Sequence, residues 1–153
     1  MRQGFIILVV LSVAMASAHA SGPEDILGVW MTEDRDANIE IYTCGEKYCG
    51  KIVWLEQPTY PPGSKEGKPG DVVLDHNNPK PELRNNPLIG LQMLFDFEFE
   101  GNNVWSKGKI YDPDNGKTYG GKLRILSAHQ LEVRGFMGVS LFGRTTTWTK
   151  QQP

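Results

Sequence analysis

From about residue 39 to residue 134 the apolar side chains of this chain recur at every second position, a spacing that fits strands and excludes long helices. Phe95-Asp96-Phe97-Glu98-Phe99-Glu100 is the clearest case, predicting three phenylalanines on one face and three acids on the other. Ile39, Ile41 and Thr43 alternate with Glu40 and Tyr42, Leu123 and Ile125 with Lys122 and Arg124, and Leu131 and Val133 with Glu132 and Arg134. Ile52 to Leu55 is a short unbroken apolar run of strand length. Turn residues punctuate the runs: Gly45-Glu46-Lys47-Tyr48, Gly101-Asn102-Asn103, Asp112 to Lys117, and Ser127 to Gln130. Adding Ile26–Glu33 and Gly143–Lys150 gives eight strands, nearly all joined by short hairpins. The expected fold class is all-β, an eight-stranded antiparallel up-and-down barrel, because closure removes the exposed edges of such a meander.

One connection breaks the rule. Residues 57–87, after the third strand, hold nearly all of the mid-chain proline and glycine and are far longer than an ordinary connection. The first half, QPTYPPGSKEGKPG, reads as a mobile arm. The second, DHNNPKPELRNNPLIG at residues 75–90, reads as an ordered clasp on the barrel, since its Asn, Asp and Pro hold fixed turns and limit the entropy lost on ordering. Leu83, Leu88 and Ile89 are its expected apolar anchors, and Arg84 its charge-assisted tie to a carboxylate or to backbone carbonyls.

The beginning of the chain sets the compartment. Arg2, the apolar run Phe5 to Ala16 and the small residues of Ala18-His19-Ala20 have the layout of a signal peptide, residues 1–20, cleaved after Ala20. The run is too short for the ~20 residues a membrane helix needs, and no later segment is apolar enough to span. Cleavage leaves one expected domain, residues 21–153, and moves the formal charge from −2 to −3 by removing Arg2. That charge, with no Lys/Arg cluster, excludes the usual nucleic-acid and anionic-membrane binders. Localisation is expected to be periplasmic or secreted. In such a compartment Cys44 and Cys49 read as a disulfide across a hairpin end, worth about 2 kcal/mol for so short a loop. Zinc would need further ligands, and residues 21–153 offer only His76 and His129.

Several blocks together resemble a known family. Gly67-Lys68-Pro69, Asp75, Asn78-Pro79, Leu83-Arg84 to Pro87-Leu88 and Gly90 are similar to the middle motif of a bacterial secreted family catalogued as domain of unknown function 2147. Cys49 to Val53, Gly108 to Pro113 with Gly116 to Tyr119, Val133-Arg134-Gly135 and Trp148 resemble its other blocks. The resemblance implies a lipocalin-like barrel and no particular reaction. Gly28-Val29-Trp30 also resembles the first-strand motif of lipocalins, where the Trp closes the barrel base beneath an Arg from near the last strand. Arg144, then Arg134, are the candidates here. The chain departs from lipocalins in placing its long loop after the third strand and in running from its last strand nearly straight to Pro153.

Such a barrel is either filled by side chains or holds one small ligand. Trp30, Trp54, Trp105 and Trp148 are expected mostly in the core, while Gly108, Gly120, Gly121 and Gly135 could leave room inside or mark bulges. The expected function is non-enzymatic binding of a small, largely apolar molecule at the barrel mouth, with Trp30, Asp75, Asn78, Arg84, Tyr111, Tyr119, Arg134 and Trp148 as candidate contacts and no cofactor or metal. Asp112 to Gly116 resembles a calcium loop but lacks its ligand spacing, so an Asn-Gly hairpin turn is the expectation, with Tyr111 and Tyr119 packing across it. Two rivals stand beside this reading. An envelope interaction protein would grip a partner through residues 57–87 and have a packed interior, and an enzyme would need Asp75, His76 and Arg84 to converge in a cleft.

Overall fold

A computed structural model describes residues 22–139 and 141–152, so the expected signal peptide lies outside the described residues. The strands are β1 (Gly28–Met31), β2 (Ala37–Cys44), β3 (Lys47–Leu55), β4 (Gln92–Gly101), β5 (Val104–Asp112), β6 (Lys117–Ser127), β7 (Gln130–Phe136) and β8 (Gly143–Lys150). Each pairs antiparallel with the next and β8 with β1, giving the closed eight-stranded up-and-down barrel that the alternation predicts. The only helical element named among the described residues is a short 3-10 turn, Pro81–Leu83, in the long loop between β3 and β4. The topology puts the β1–β2, β3–β4, β5–β6 and β7–β8 connections at one end, the mouth, and the other three with the amino-terminal segment at the base.

Closure rests on a short seam. β1 has four residues and pairs with β8 only at Trp30↔Lys150 and Met31↔Thr149. Nearer the mouth a side chain stands in for the ladder, as the Thr147 N–H donates to Glu33 Oε1 at 3.0 Å.

The base is solid. Trp30, Trp105, Phe97, Leu123 and Leu131 are fully buried there. Trp30 Nε1 donates to the Ile26 carbonyl at 2.8 Å. The cation over Trp30 is neither Arg144 nor Arg134. Lys150 Nζ lies 5.1 Å from the ring centre and donates to the Asp25 carbonyl at 3.0 Å. Pairing with Trp30 puts Lys150 at the base, whereas Arg144 is six residues nearer the mouth along β8, opposite Gly135. Trp54, expected in the core, is 42% exposed on the outer face.

The Phe95–Phe97–Phe99 face is broken. Between the pairs Phe95↔Lys109 and Glu98↔Ser106 the strands β4 and β5 both bulge, with Asp96 at φ 59° and Lys107 at φ 59°. The bulge shifts the alternation by one residue, so Leu94 and Phe97 are buried while Phe95 sits beside exposed Lys109. Outside the barrel Glu98 takes ion pairs from Lys107 at 2.9 Å and Lys47 at 3.2 Å, which hold its carboxyl below the ordinary carboxylate value.

Three of the four strand glycines leave no room. Gly108 and Gly121 face each other across β5 and β6, and a Cβ on either would lie 2.4 Å from the Phe97 ring. A Cβ on Gly120 would meet Phe136 at 2.5 Å. Only at Gly135 is the space ordinary, with the nearest atoms 3.8 and 3.9 Å away.

Cys44 and Cys49 are bonded across the β2–β3 turn at the base, with Cα atoms 5.8 Å apart. Both sulfurs are consumed by that bond, so they ligate no zinc. Alkylation of unreduced protein should modify neither cysteine, and reduction should lower stability by about 2 kcal/mol. Mass analysis and a urea titration check the two halves of that expectation.

Candidate functional site

Above the solid base the interior opens into a cavity of about 720 Å³. Ile39, Ile52, Ile110 and Val133 wall it from four strands, Trp148 from a fifth, and Leu88 and Met93 from the long loop and the start of β4. These residues follow from the strand alternation, which sends every second side chain inward. Gly135 belongs to the same wall and, lacking a side chain, leaves part of the volume free. Trp30, Phe97, Trp105 and Leu123 do not reach it.

The rim is built from turns: Thr32, Glu33, Asp34 and Asp36 from β1–β2, Asp112 to Asn115 from β5–β6, and Met137 and Phe142 from β7–β8. The β5–β6 turn is a hairpin, as its Asn-Gly chemistry predicts. Asp112 spends its carboxylate within it, accepting from the Asp114 N–H at 3.0 Å and from Asn115 Nδ2 at 2.7 Å. Tyr119 Oη accepts from Asn115 Nδ2 at 3.1 Å.

The long loop grips this turn. Asn77 Nδ2 donates to the Pro113 and Asp114 carbonyls at 3.1 and 3.0 Å. Gly116, at φ +69°, must be glycine there, because a Cβ would stand 1.9 Å from the Asn77 carbonyl oxygen. Behind the turn Asp75 is 1% exposed and accepts from Tyr111 Oη at 2.7 Å and Asn78 Nδ2 at 2.6 Å. Burial, then the bond to Asp75 and its charge, push the Tyr111 phenol well above its ordinary value. Arg84 Nε donates to the Asn78 carbonyl at 2.7 Å, and Leu88 packs against the core. Ile89, expected as an anchor, is 47% exposed instead.

The first half of the loop is not a free arm. Tyr60, 4% exposed, is enclosed by it: the Tyr60 N–H donates to Asp71, the Gly70 N–H to Tyr60, and Tyr60 Oη accepts from the Leu74 N–H at 2.9 Å. Gly67 passes so close that a Cβ would lie 2.2 Å from the Tyr60 ring. His76, to which the sequence assigns no partner, hydrogen-bonds through Nε2 to Tyr60 Oη and stacks on its ring. Sequence reasoning missed Tyr60, although it is the only Phe, Tyr or Trp between residues 57 and 87.

Of the candidate contacts, the structure places Tyr111, Tyr119 and Trp148 on the cavity. It does not bring the others there. Trp30 is at the base, Asp75 and Asn78 are inside the clasp, Arg84 is on its exposed side, and Arg134 bonds Thr145 Oγ1 at 2.7 Å and the Leu141 carbonyl at 3.3 Å. Asp75, His76 and Arg84 do not bond one another: Asp75 and Arg84 both hold Asn78, through its side-chain amide and its carbonyl, while His76 holds Tyr60. The rim acids Glu33, Asp34 and Asp36 were passed over, and three acids within four residues of a turn were the available signal.

Among solved structures, the chain is similar to protein HP1028 of Helicobacter pylori, described as belonging to the lipocalin family, with a TM-score of 0.67, 24% identity and 82% of each chain covered. No curated protein matches the sequence. Residues 28–150, from the first residue of β1 to the last of β8, match the family of uncharacterised proteins conserved in bacteria designated DUF2147, and the chain belongs to that family.

Proposed function

We propose that this chain is an exported, non-enzymatic binding protein whose barrel mouth holds one small, largely apolar molecule. The observation that carries the reading is the apolar-walled cavity of about 720 Å³, within the range of roughly 300–1,000 Å³ typical of small-molecule sites. A lipocalin-like barrel half filled and half hollow suits holding a ligand better than a purely structural role. The leader-like amino terminus and the Cys44–Cys49 disulfide support the periplasm as its compartment. The use of Asp75, His76 and Arg84 in the loop's own hydrogen bonds argues against the enzyme reading, and the cavity against a packed interaction module.

A neutral environment-sensitive probe, N-phenyl-1-naphthylamine, should be taken up with a fluorescence gain. Gly135→Phe, which fills the free part of the wall, should weaken uptake at least about tenfold while melting near the parent. Absence of uptake by the parent protein would remove the reading.

A further inference from the structure

The charge around the cavity is one-sided. Its charged lining residues are Glu33, Asp34, Asp36, Asp112 and Asp114 against a single cation, Arg144, all on the rim above apolar walls. Three of the acids have local work: Glu33 holds the Thr147 N–H, Asp36 accepts from Thr32 Oγ1 at 2.6 Å, and Asp112 braces its own turn. Two do not. Asp34 has only Arg144, 4.0 Å away with both side chains more than 70% exposed, a contact that screening makes weak. The carboxylate of Asp114 has no hydrogen bond or ion pair among the described residues. Asp114 reaches the surface, yet the protein packed around its carboxyl, ahead of the charges of Asp112, Asp36 and Glu66, holds its pKa above the ordinary value. A positive group placed there would relieve that repulsion.

The rim does not suit a metal ion. Among the described residues the one group bringing three potential ligand atoms within 4.8 Å is Cys44, Cys49 and Asp96, whose sulfurs are bonded to each other. Carboxylates spread around an opening, over walls of low dielectric, favour a diffuse organic cation and repel an anion.

Resting on the cavity reading above, we propose that the ligand is a cationic amphiphile: an alkyl or ring body within the apolar walls and an amine or quaternary ammonium head at the acidic rim beside Asp34 and Asp114. The discriminating experiment is competition against the neutral naphthylamine probe by decylammonium, decanol and decanoate, below their aggregation concentrations, on the mature chain at low and at high salt. Decylammonium should bind roughly tenfold tighter than decanol, and decanoate more weakly than decanol, with the spread narrowing at high salt. Asp34→Asn with Asp114→Asn should bring decylammonium down to decanol while leaving decanol unchanged. Glu24→Gln, at the base, should change neither. If the probe binds but decanoate equals or exceeds decylammonium, or the Asn pair leaves the spread intact, the charge assignment is overturned and the apolar cavity stands. If neither the probe nor any of the three competitors binds, the cavity reading falls and this inference with it.

Discussion

Asp75→Ala should cost the fold about 3 kcal/mol, a drop of about 10 °C in melting temperature for a domain of this size. The carboxylate is 1% exposed and serves two buried donors, Tyr111 Oη and Asn78 Nδ2. Deleting it strands both, and an unpaired buried donor costs more than a typical hydrogen bond contributes. The Asn78 peptide also takes the Arg84 guanidinium through its carbonyl, so the loss spreads through the clasp. Asp75→Asn keeps one acceptor and should cost about half as much. Arg84→Ala should cost about 1 kcal/mol, because Arg84 is exposed and water can replace its bond. Urea titrations of the three variants give the ranking, and parent-like stability of Asp75→Ala would refute the clasp. A pH series gives an independent check. The Tyr111 pKa is raised in the fold, first by burial and then by Asp75. Its contribution is therefore complete below pH about 10 and lost progressively as pH rises above it, a loss that Tyr111→Phe should not show.

The second large effect is at the base, where Phe97 lies over two facing glycines. Neither Gly108 nor Gly121 has the left-handed backbone that would itself require glycine. Their constraint is space, since a Cβ on either comes within 2.4 Å of a ring that is 1% exposed and cannot withdraw. Gly121→Ala should therefore cost about 2–3 kcal/mol by overpacking, and Phe97→Ala about 3–5 kcal/mol through the cavity it leaves. Combined, they should cost less than the sum by at least about 1 kcal/mol, because the new methyl occupies vacated volume. Additive losses in a double-mutant cycle would show that the ring and the glycines are not in conflict.

These predictions lie on different levels of the chain's readability. The barrel was legible because alternation and turn chemistry are local: Asn115-Gly116 makes its hairpin whatever surrounds it. The clasp was legible for the same reason, and Arg84 reached a backbone carbonyl as expected. What depends on register was not legible. The bulge that turns Phe95 outward uses Asp96 and Lys107 in left-handed conformations, with no Gly or Asn at either position to announce it. Lys150 rather than an arginine lies over Trp30 because one strand pairing decides which cation is near. Hollow and filled regions could not be separated either. Gly108, Gly120, Gly121 and Gly135 read alike in sequence, and rings are folded tightly onto three of them while the fourth has room for a side chain beside the cavity. The acidic rim was hidden in another way, since Glu33-Asp34-Arg35-Asp36 has the composition of any solvated turn until the barrel sets it over an apolar hole.

The brevity of β1 decides what closes the barrel wall near the mouth. Beyond the two pairs that join it to Lys150 and Thr149, the described flank of β8 from Gly143 to Trp148 has no ladder partner in β1, and there Glu33 meets Thr147 and Asp34 lies 4.0 Å from Arg144. Thr32, Glu33, Gly143, Arg144 and Thr146 all border the hollow, so side chains rather than a ladder bound it on this side. A hole in the top alone would limit a guest to what the chamber encloses. For the ligand proposed above, a boundary of side chains can give way where a ladder could not, so the enclosed volume need not set a ceiling on its length.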